Sequence, residues 1–235
     1  MENKKISKPE LSCIIITLNE EKCLPKLLNS LKKQTFKNFE IIVADFNSKD
    51  KTRKIAKKYG CKVTIGGKPS VARNNGAKIA RGKYLVFLDA DSILQKNFIE
   101  VNFNKFKDSK AGAGSVLVTP LSNKIIDKIL FKIYNTLALF LSKFSPHGTG
   151  ACMFIRRDIF KKIKGFNEKI VFAEDFNLFK RAKKYGGFIL LPLNINISVR
   201  RLEKDGRLKF AGKLLFGGLY RLFYKEIEKD LFDYI

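Results

Sequence analysis

The chain has 235 residues, 45% of them apolar, enough for one large α/β domain or two small ones. Its formal charge of +25 at pH 7 admits nucleic acid, an anionic membrane or anionic small substrates as partners. The basic residues are mostly Lys, spread without a dominant aromatic-interleaved cluster, which argues against nucleic acid as a partner; abundant Lys and Ile beside scarce Gln also fit a genomic composition bias.

Residues 1–9 form a polar tail without the apolar stretch of a signal peptide, so the expected compartment is the cytoplasm. Leu11–Thr17 is an Ile-rich run with the length and branching of a buried strand. Residues 20–34 place Leu24, Leu27, Leu28 and Leu31 on one helical face, with Pro25 tolerated in the first turn. Strand patterns follow at 39–44, 61–65 and 84–88. Between them lie a short basic helix at 51–59, closed by Gly60, and a helix at 70–80 with Ser70 as its expected N-cap. Alternating strands and helices of this length imply βαβ units, a mainly parallel sheet and right-handed crossovers.

The second half is less regular. A helix is expected at 96–106, and a strand at 114–119 ended by Pro120. Residues 124–144 carry Ile126, Ile129, Leu130, Ile133, Leu137 and Leu141 at helical spacing, interrupted by Asp127, Lys128, Lys132 and Lys143. Their uncharged stretch is too short to span a bilayer and reads as an amphipathic surface helix. A strand at 150–155, a short basic helix ending at Gly165, a helix at 174–185 and strands at 188–191 and 195–199 come next, and a basic amphipathic helix is expected at 208–232. The four cysteines, Cys13, Cys23, Cys61 and Cys152, show no zinc or disulfide pattern; Cys13 and Cys61 read as buried thiols.

In a parallel sheet, functional groups gather past the carboxyl ends of the strands. Thr17, Asn19 and Glu20 follow the first strand, Asp45, Asn47, Ser48 and Asp50 the second, and Asp89 and Asp91 the fourth. Carboxylates two apart on an extended backbone point to one side, a like-charge pair that suits a hard divalent cation. The pattern points to metal-assisted group transfer. Each cluster also has a plainer reading: turn and capping residues at 45–52 and 89–91, a solvated cation at Arg73, and acids complementing a helix dipole at Glu174 and Asp175.

Five segments carry a resemblance: SCIIITLNEE (12–21), IIVADFNSKDKT (41–52), ARNNG (72–76), YLVFLDAD (84–91) and AED (173–175). In this order and spacing the chain resembles a family 2 glycosyltransferase with the GT-A fold over about residues 10–190. The resemblance implies an α/β transferase domain, placed at 10–200, and the basic amphipathic pattern beyond it marks 201–235 as a helical appendage. It implies inverting transfer of a hexosyl group from a UDP- or GDP-linked sugar to a hydroxyl or phosphate acceptor, a glycan or, where the basic helices rest on a membrane, a lipid-linked one. Thr17, Asn19, Glu20, Asp45, Ser48, Arg73 and Asp89 would bind the nucleotide sugar. Asp91, with Asp89, would hold Mg²⁺ or Mn²⁺. Asp175 would be the general base with Glu174 beside it. Phe46 departs from the pattern where many relatives carry a second acid, and Ile16 stands where proline is frequent.

The only histidine, His147, lies in a Gly-flanked loop that would line the acceptor site, or is simply structural. Arg200 and Arg201 would clamp a phosphate bidentately, or form a solvated basic loop. The two basic amphipathic stretches would rest on an anionic membrane at the inner face of the cell, or pack as core or dimer helices. The rival from another class is a nucleic-acid-binding α/β module, motivated by the charge; it leaves the acidic strand ends unexplained. A nucleotide-binding oxidoreductase would need a GxGxxG turn after the first strand, where Asn19, Glu20 and Glu21 stand instead.

Overall fold

A computed structural model describes residues 8–207 and Gly212. The helix expected at 208–232 and most of the tail at 1–9 lie outside the described residues. The strands β1 (Leu11–Thr17), β2 (Phe39–Asp45), β3 (Lys62–Ile65) and β4 (Tyr84–Asp89) alternate with α1 (Leu24–Lys32), α2 (Thr52–Lys58) and α3 (Pro69–Ile79). After them come β5 (Ser92–Ile93), α4 (Phe98–Ser109), β6 (Ala113–Ser115), β7 (Val118–Pro120), α5 (Ile125–Ser142) and β8 (Cys152–Arg156). The described chain continues through α6 (Arg157–Lys162), α7 (Glu174–Lys183), β9 (Phe188–Leu190), β10 (Ile195–Ile197) and α8 (Arg200–Asp205).

The main sheet has the order β3-β2-β1-β4-β8-β6-β9. β1 runs parallel to β2 and β4, and β2 to β3; β8 is inserted antiparallel between β4 and β6. A small sheet, β5-β10-β7, sits beside it. Both faces of the main sheet are covered, which explains why the middles of the central strands, 13–16, 41–44 and 84–88, read as apolar runs. Cys13, Ile15, Val86, Leu88 and Phe154 pack under α1 and α4, whereas Ile14, Ile42, Phe87 and Met153 pack with α6 and α7. The four leucines of α1 are fully buried, each contributing about 1.5–3 kcal/mol relative to exposure. Gly76 permits the approach of α3 to β1, since a Cβ there would lie 2.4 Å from Ile14 Cγ2. In the β1–β2 and β1–β4 ladders Thr17 stands opposite Asp45 and Ile16 opposite Asp89, so the polar strand ends share one edge.

Two local expectations are corrected. Lys68, not Ser70, takes the N-cap position, and Pro69 opens α3 where its missing N–H costs nothing. The stretch 114–119 is two strands in two sheets, not one. Asn135 of α5 pairs with both backbone groups of Val118, at 3.1 and 2.8 Å, and fixes where the chain changes sheet; Pro120 belongs to β7 instead of ending it. Cys13 and Cys61 are buried as expected, and all four cysteines are free thiols.

Candidate active site

Three groups of side chains line this edge. The first joins the loops after β1 and β2. Asp45 is 4% exposed; its Oδ1 accepts from Thr17 Oγ1 at 2.8 Å and Ser48 Oγ at 2.6 Å, and its Oδ2 accepts the Ser48 N–H at 3.0 Å. Asn19 and Asn47 both adopt left-handed φ, 54° and 52°, which asparagine tolerates through local hydrogen bonding. The Asn19 N–H donates to Ser48 Oγ at 2.9 Å, and its Oδ1 accepts the Lys49 N–H at 2.9 Å. The Glu20 N–H donates to Thr52 Oγ1 at 2.8 Å and the Glu21 N–H to Asp50 Oδ2 at 3.0 Å. Burial opposes ionisation of Asp50, but hydrogen bonds from Thr52 outweigh it and hold the carboxyl below its ordinary range. The Phe46 side chain sits half-exposed beside this network.

The second group is centred on Arg73 of α3, which is 3% exposed. Its Nη1 donates to Glu174 Oε1 at 2.6 Å, and its Nη2 to Asp89 Oδ1 at 3.1 Å and to the Gly150 carbonyl at 3.5 Å. A buried cation requires such partners. Burial alone would lower the Arg73 pKa; Glu174 and Asp89 reverse that and raise it. Burial also pushes the Glu174 carboxyl upward, with Arg73 opposing and Asp175 reinforcing the rise. Ala173, immediately before these acids, is held at φ 61°, where a side chain costs about 1–3 kcal/mol. A Cβ on Gly150 would lie 3.1 Å from Asp175 Oδ2, so glycine lets the loop backbone approach that carboxylate. His147 Nδ1 lies 3.2 Å from the Ser145 carbonyl, and the ring packs against Phe176 with centroids 5.1 Å apart. The histidine loop thus abuts the start of α7.

The third group is built around Arg200 of α8. Its Nε lies 3.2 Å from Asp91 Oδ2; Nη1 donates to Glu20 Oε2 at 2.8 Å and Nη2 to Glu20 Oε1. The Asp91 carboxyl is pushed up to about 6 by burial first and by the Asp89 charge second, with Arg200 pulling it back. Arg201 is exposed and adds a weaker attraction to Asp91. Leu202 of α8 is buried in the core, so the boundary expected at 200/201 falls inside a packed helix.

The edge therefore assembles the sequence candidates in three touching sets: Thr17, Asn19, Asp45 and Ser48; Arg73, Asp89, Glu174 and, through Gly150, Asp175; and Glu20, Asp91 and Arg200. His147 stands beside the second set and Arg201 beside the third. Sequence reasoning missed that Arg73 and Arg200 each bridge two acids from distant segments. Among the described residues no three His, Cys, Asp or Glu side chains form a metal cage. A small hard cation does not need one: it is commonly bound by one or two carboxylates, with substrate phosphates and water completing the shell. Asp89 and Asp91, a like-charge pair with a raised Asp91 pKa, fit that kind of site.

The model of glycosyl transferase family 2 matches residues 12–164. An uncharacterised glycosyltransferase of Rickettsia typhi is 31% identical over 182 residues, covering 72% of this chain and 57% of that protein. The poly(ribitol-phosphate) β-N-acetylglucosaminyltransferase TarS of Staphylococcus aureus is 36% identical over 101 residues, covering 39% of this chain and 18% of TarS. The chain thus spans little more than half of the first relative's length and under a fifth of the second's. Among solved structures, residues 1–349 of S. aureus TarS align with a TM-score of 0.65 at 24% identity, covering 92% of this chain and 72% of that one. A mannosyltransferase from Pyrobaculum calidifontis, in complex with GDP-Man and Mn²⁺, aligns with a TM-score of 0.68 at 20% identity, covering 93% and 71%. These likenesses show the GT-A fold.

Proposed function

The chain belongs to glycosyltransferase family 2, and on that footing we propose that it is an inverting transferase. It moves a hexosyl group from a UDP- or GDP-linked sugar to a hydroxyl or phosphate on a glycan or lipid-linked acceptor. The observation that carries this reading is the convergence of Asp45, Asp89, Asp91, Glu174 and Asp175 on one sheet edge, interleaved with Arg73 and Arg200. The UDP-GlcNAc complex of TarS and the GDP-Man and Mn²⁺ complex of the P. calidifontis enzyme support the donor class. The transferase domain extends from residue 10 through α8, and four free thiols suit a reducing cytoplasm.

The loops after β1 and β2 take the nucleoside. Asp45, oriented by Thr17 and Ser48, keeps one lone pair on Oδ2 for an N–H of the base. Asp91, with Asp89, would hold Mg²⁺ or Mn²⁺, whose role when bound is to stabilise charge on the leaving diphosphate as a Lewis acid. Arg200 and Arg201 bring two guanidinium groups to the diphosphate side. The Arg73 Nη atoms are taken up by Glu174, Asp89 and the Gly150 carbonyl, so Arg73 positions Asp89 and Glu174. Because Glu174 is committed to Arg73, Asp175 is left to take the proton from the acceptor hydroxyl as it attacks in line. Gly150 and His147 shape the acceptor side of that carboxylate.

A thermal-shift series of UDP- and GDP-sugars with and without Mn²⁺ tests the proposal. At 100 times Kd, a ligand specific for the native state adds about 2.7 kcal/mol of stability. One donor should raise Tm only when metal is present, and Asp91→Ala should abolish that metal-dependent rise. No shift with any donor would reject the reading.

A further inference from the structure

The 18-residue helix α5 presents three different faces. One, with Asp127, Phe131 and Ala138, is buried against the domain. A second is a stripe of Ile126, Ile129, Ile133, Leu137, Phe140 and Phe144, the last in the turn just beyond the helix, each between 46% and 71% exposed. The third carries exposed Lys128, Lys132 and Lys143, which flank the stripe on the side away from the domain. The stripe runs the whole helix, roughly 27 Å at 1.5 Å per residue. Six large apolar side chains in one unbroken exposed row are far from the scattered singles usual on a soluble surface and mark an interaction site.

We propose that this face of α5 is a docking surface for an anionic lipid bilayer. An interfacial helix needs an apolar row to enter the acyl boundary and cations beside it at headgroup level, and α5 supplies both. No described helix is long and apolar enough to cross a membrane, so the contact is lateral. Charge separates a bilayer from a second copy of the chain. Two chains of formal charge +25 meeting through this face would bring their lysine rows together, whereas anionic lipid neutralises them. The helix also leads directly into the 143–151 loop, and Tyr134 Oη donates to the Gly148 carbonyl at 3.1 Å. Docking would therefore bring the His147 and Gly150 side of the edge toward the bilayer. The inference does not depend on the transferase reading, because it concerns only where the chain rests.

The chain contains no tryptophan, so Ile133→Trp introduces a single reporter on the stripe. In the full chain, this Trp should emit as a solvent-exposed indole in buffer. It should shift to the blue with phosphatidylglycerol-containing vesicles, and remain unshifted with pure phosphatidylcholine. Lys128→Glu combined with Lys132→Glu should weaken vesicle binding by at least about tenfold, and raised salt should weaken the parent similarly. Blue emission already present in buffer would overturn the proposal, since residues 208–235 or a second copy would then cover the stripe. So would cosedimentation with anionic vesicles that the paired Lys→Glu change leaves intact. Donor-induced thermal shifts measured on the same variant report the transferase reading separately.

Discussion

The two halves of the active edge are held together differently. On the side proposed for the nucleoside, Thr17, Asn19, Glu20 and Glu21 meet Asp45, Ser48, Asp50 and Thr52 across about thirty residues of chain, through short neutral or singly charged hydrogen bonds. On the side proposed for the reaction, the contacts are ion pairs between segments far apart: Arg73 with Glu174, 101 residues on, and Arg200 with Glu20, 180 residues back. The first half is two adjacent loops of one parallel unit and forms with that unit. The second requires the whole domain, and its stability and its chemistry draw on the same buried charges.

The largest separation between the halves should come from Asp175→Asn. Loss of a general base lowers turnover by about 10²–10⁴-fold, while donor affinity, measured by titration calorimetry with Mn²⁺, should change little. A collapse of donor affinity would place Asp175 on the nucleoside side instead. Next, Arg73→Ala removes the buried counter-charge shared by the partly buried Glu174 and Asp89 and should destabilise the fold by at most about 3–5 kcal/mol in urea unfolding. Thr17→Val, the matched change in the other half, removes one hydroxyl from a buried carboxylate and should cost about 1.5–3 kcal/mol. Equal losses for Arg73 and Thr17 would erase the contrast.

The smallest effect belongs to Glu40, at the opposite end of β2, as a control outside the edge. Burial opposes its ionisation, yet hydrogen bonds from Lys62, the Arg81 N–H and Ser12 outweigh it and bring its pKa down to about 2. A depressed carboxylate pKa stabilises the folded state above the ordinary value of 4.5, and that contribution disappears as pH falls toward 2. Glu40→Gln should flatten the acid limb of a Tm against pH curve in that window. Its cost at neutral pH should be no more than about 1 kcal/mol, allowing for solvent screening by its exposed partners.

What the amino-acid sequence reveals follows the same division. The middles of β1, β2 and β4 are continuous apolar runs because both their faces are covered, and the polar residues just past them are local in sequence, so the loops after β1 and β2 are legible residue by residue. The four leucines of α1 are equally plain. The insertion of antiparallel β8 between β4 and β6 leaves no local trace, since pairing partners are chosen by the whole sheet. The break between β6 and β7 depends on Asn135, a side chain from another element. Asp127 reads as a polar interruption in an apolar helix, yet it is buried and ion-paired with Arg207 at 2.6 Å. Arg73 and Arg200 look like two more cations in a chain full of them; only tertiary structure shows which charges each one neutralises.

The Arg200 contact has a consequence for how the molecule matures. Glu20 and Asp91 belong to segments synthesised early, and their shared counter-charge arrives only when residue 200 leaves the ribosome and α8 docks through Leu202. Until then two neighbouring acids repel each other at the mouth of the first loop. The sheet can form first; the charged edge is completed by one of the last described elements of the chain to be made.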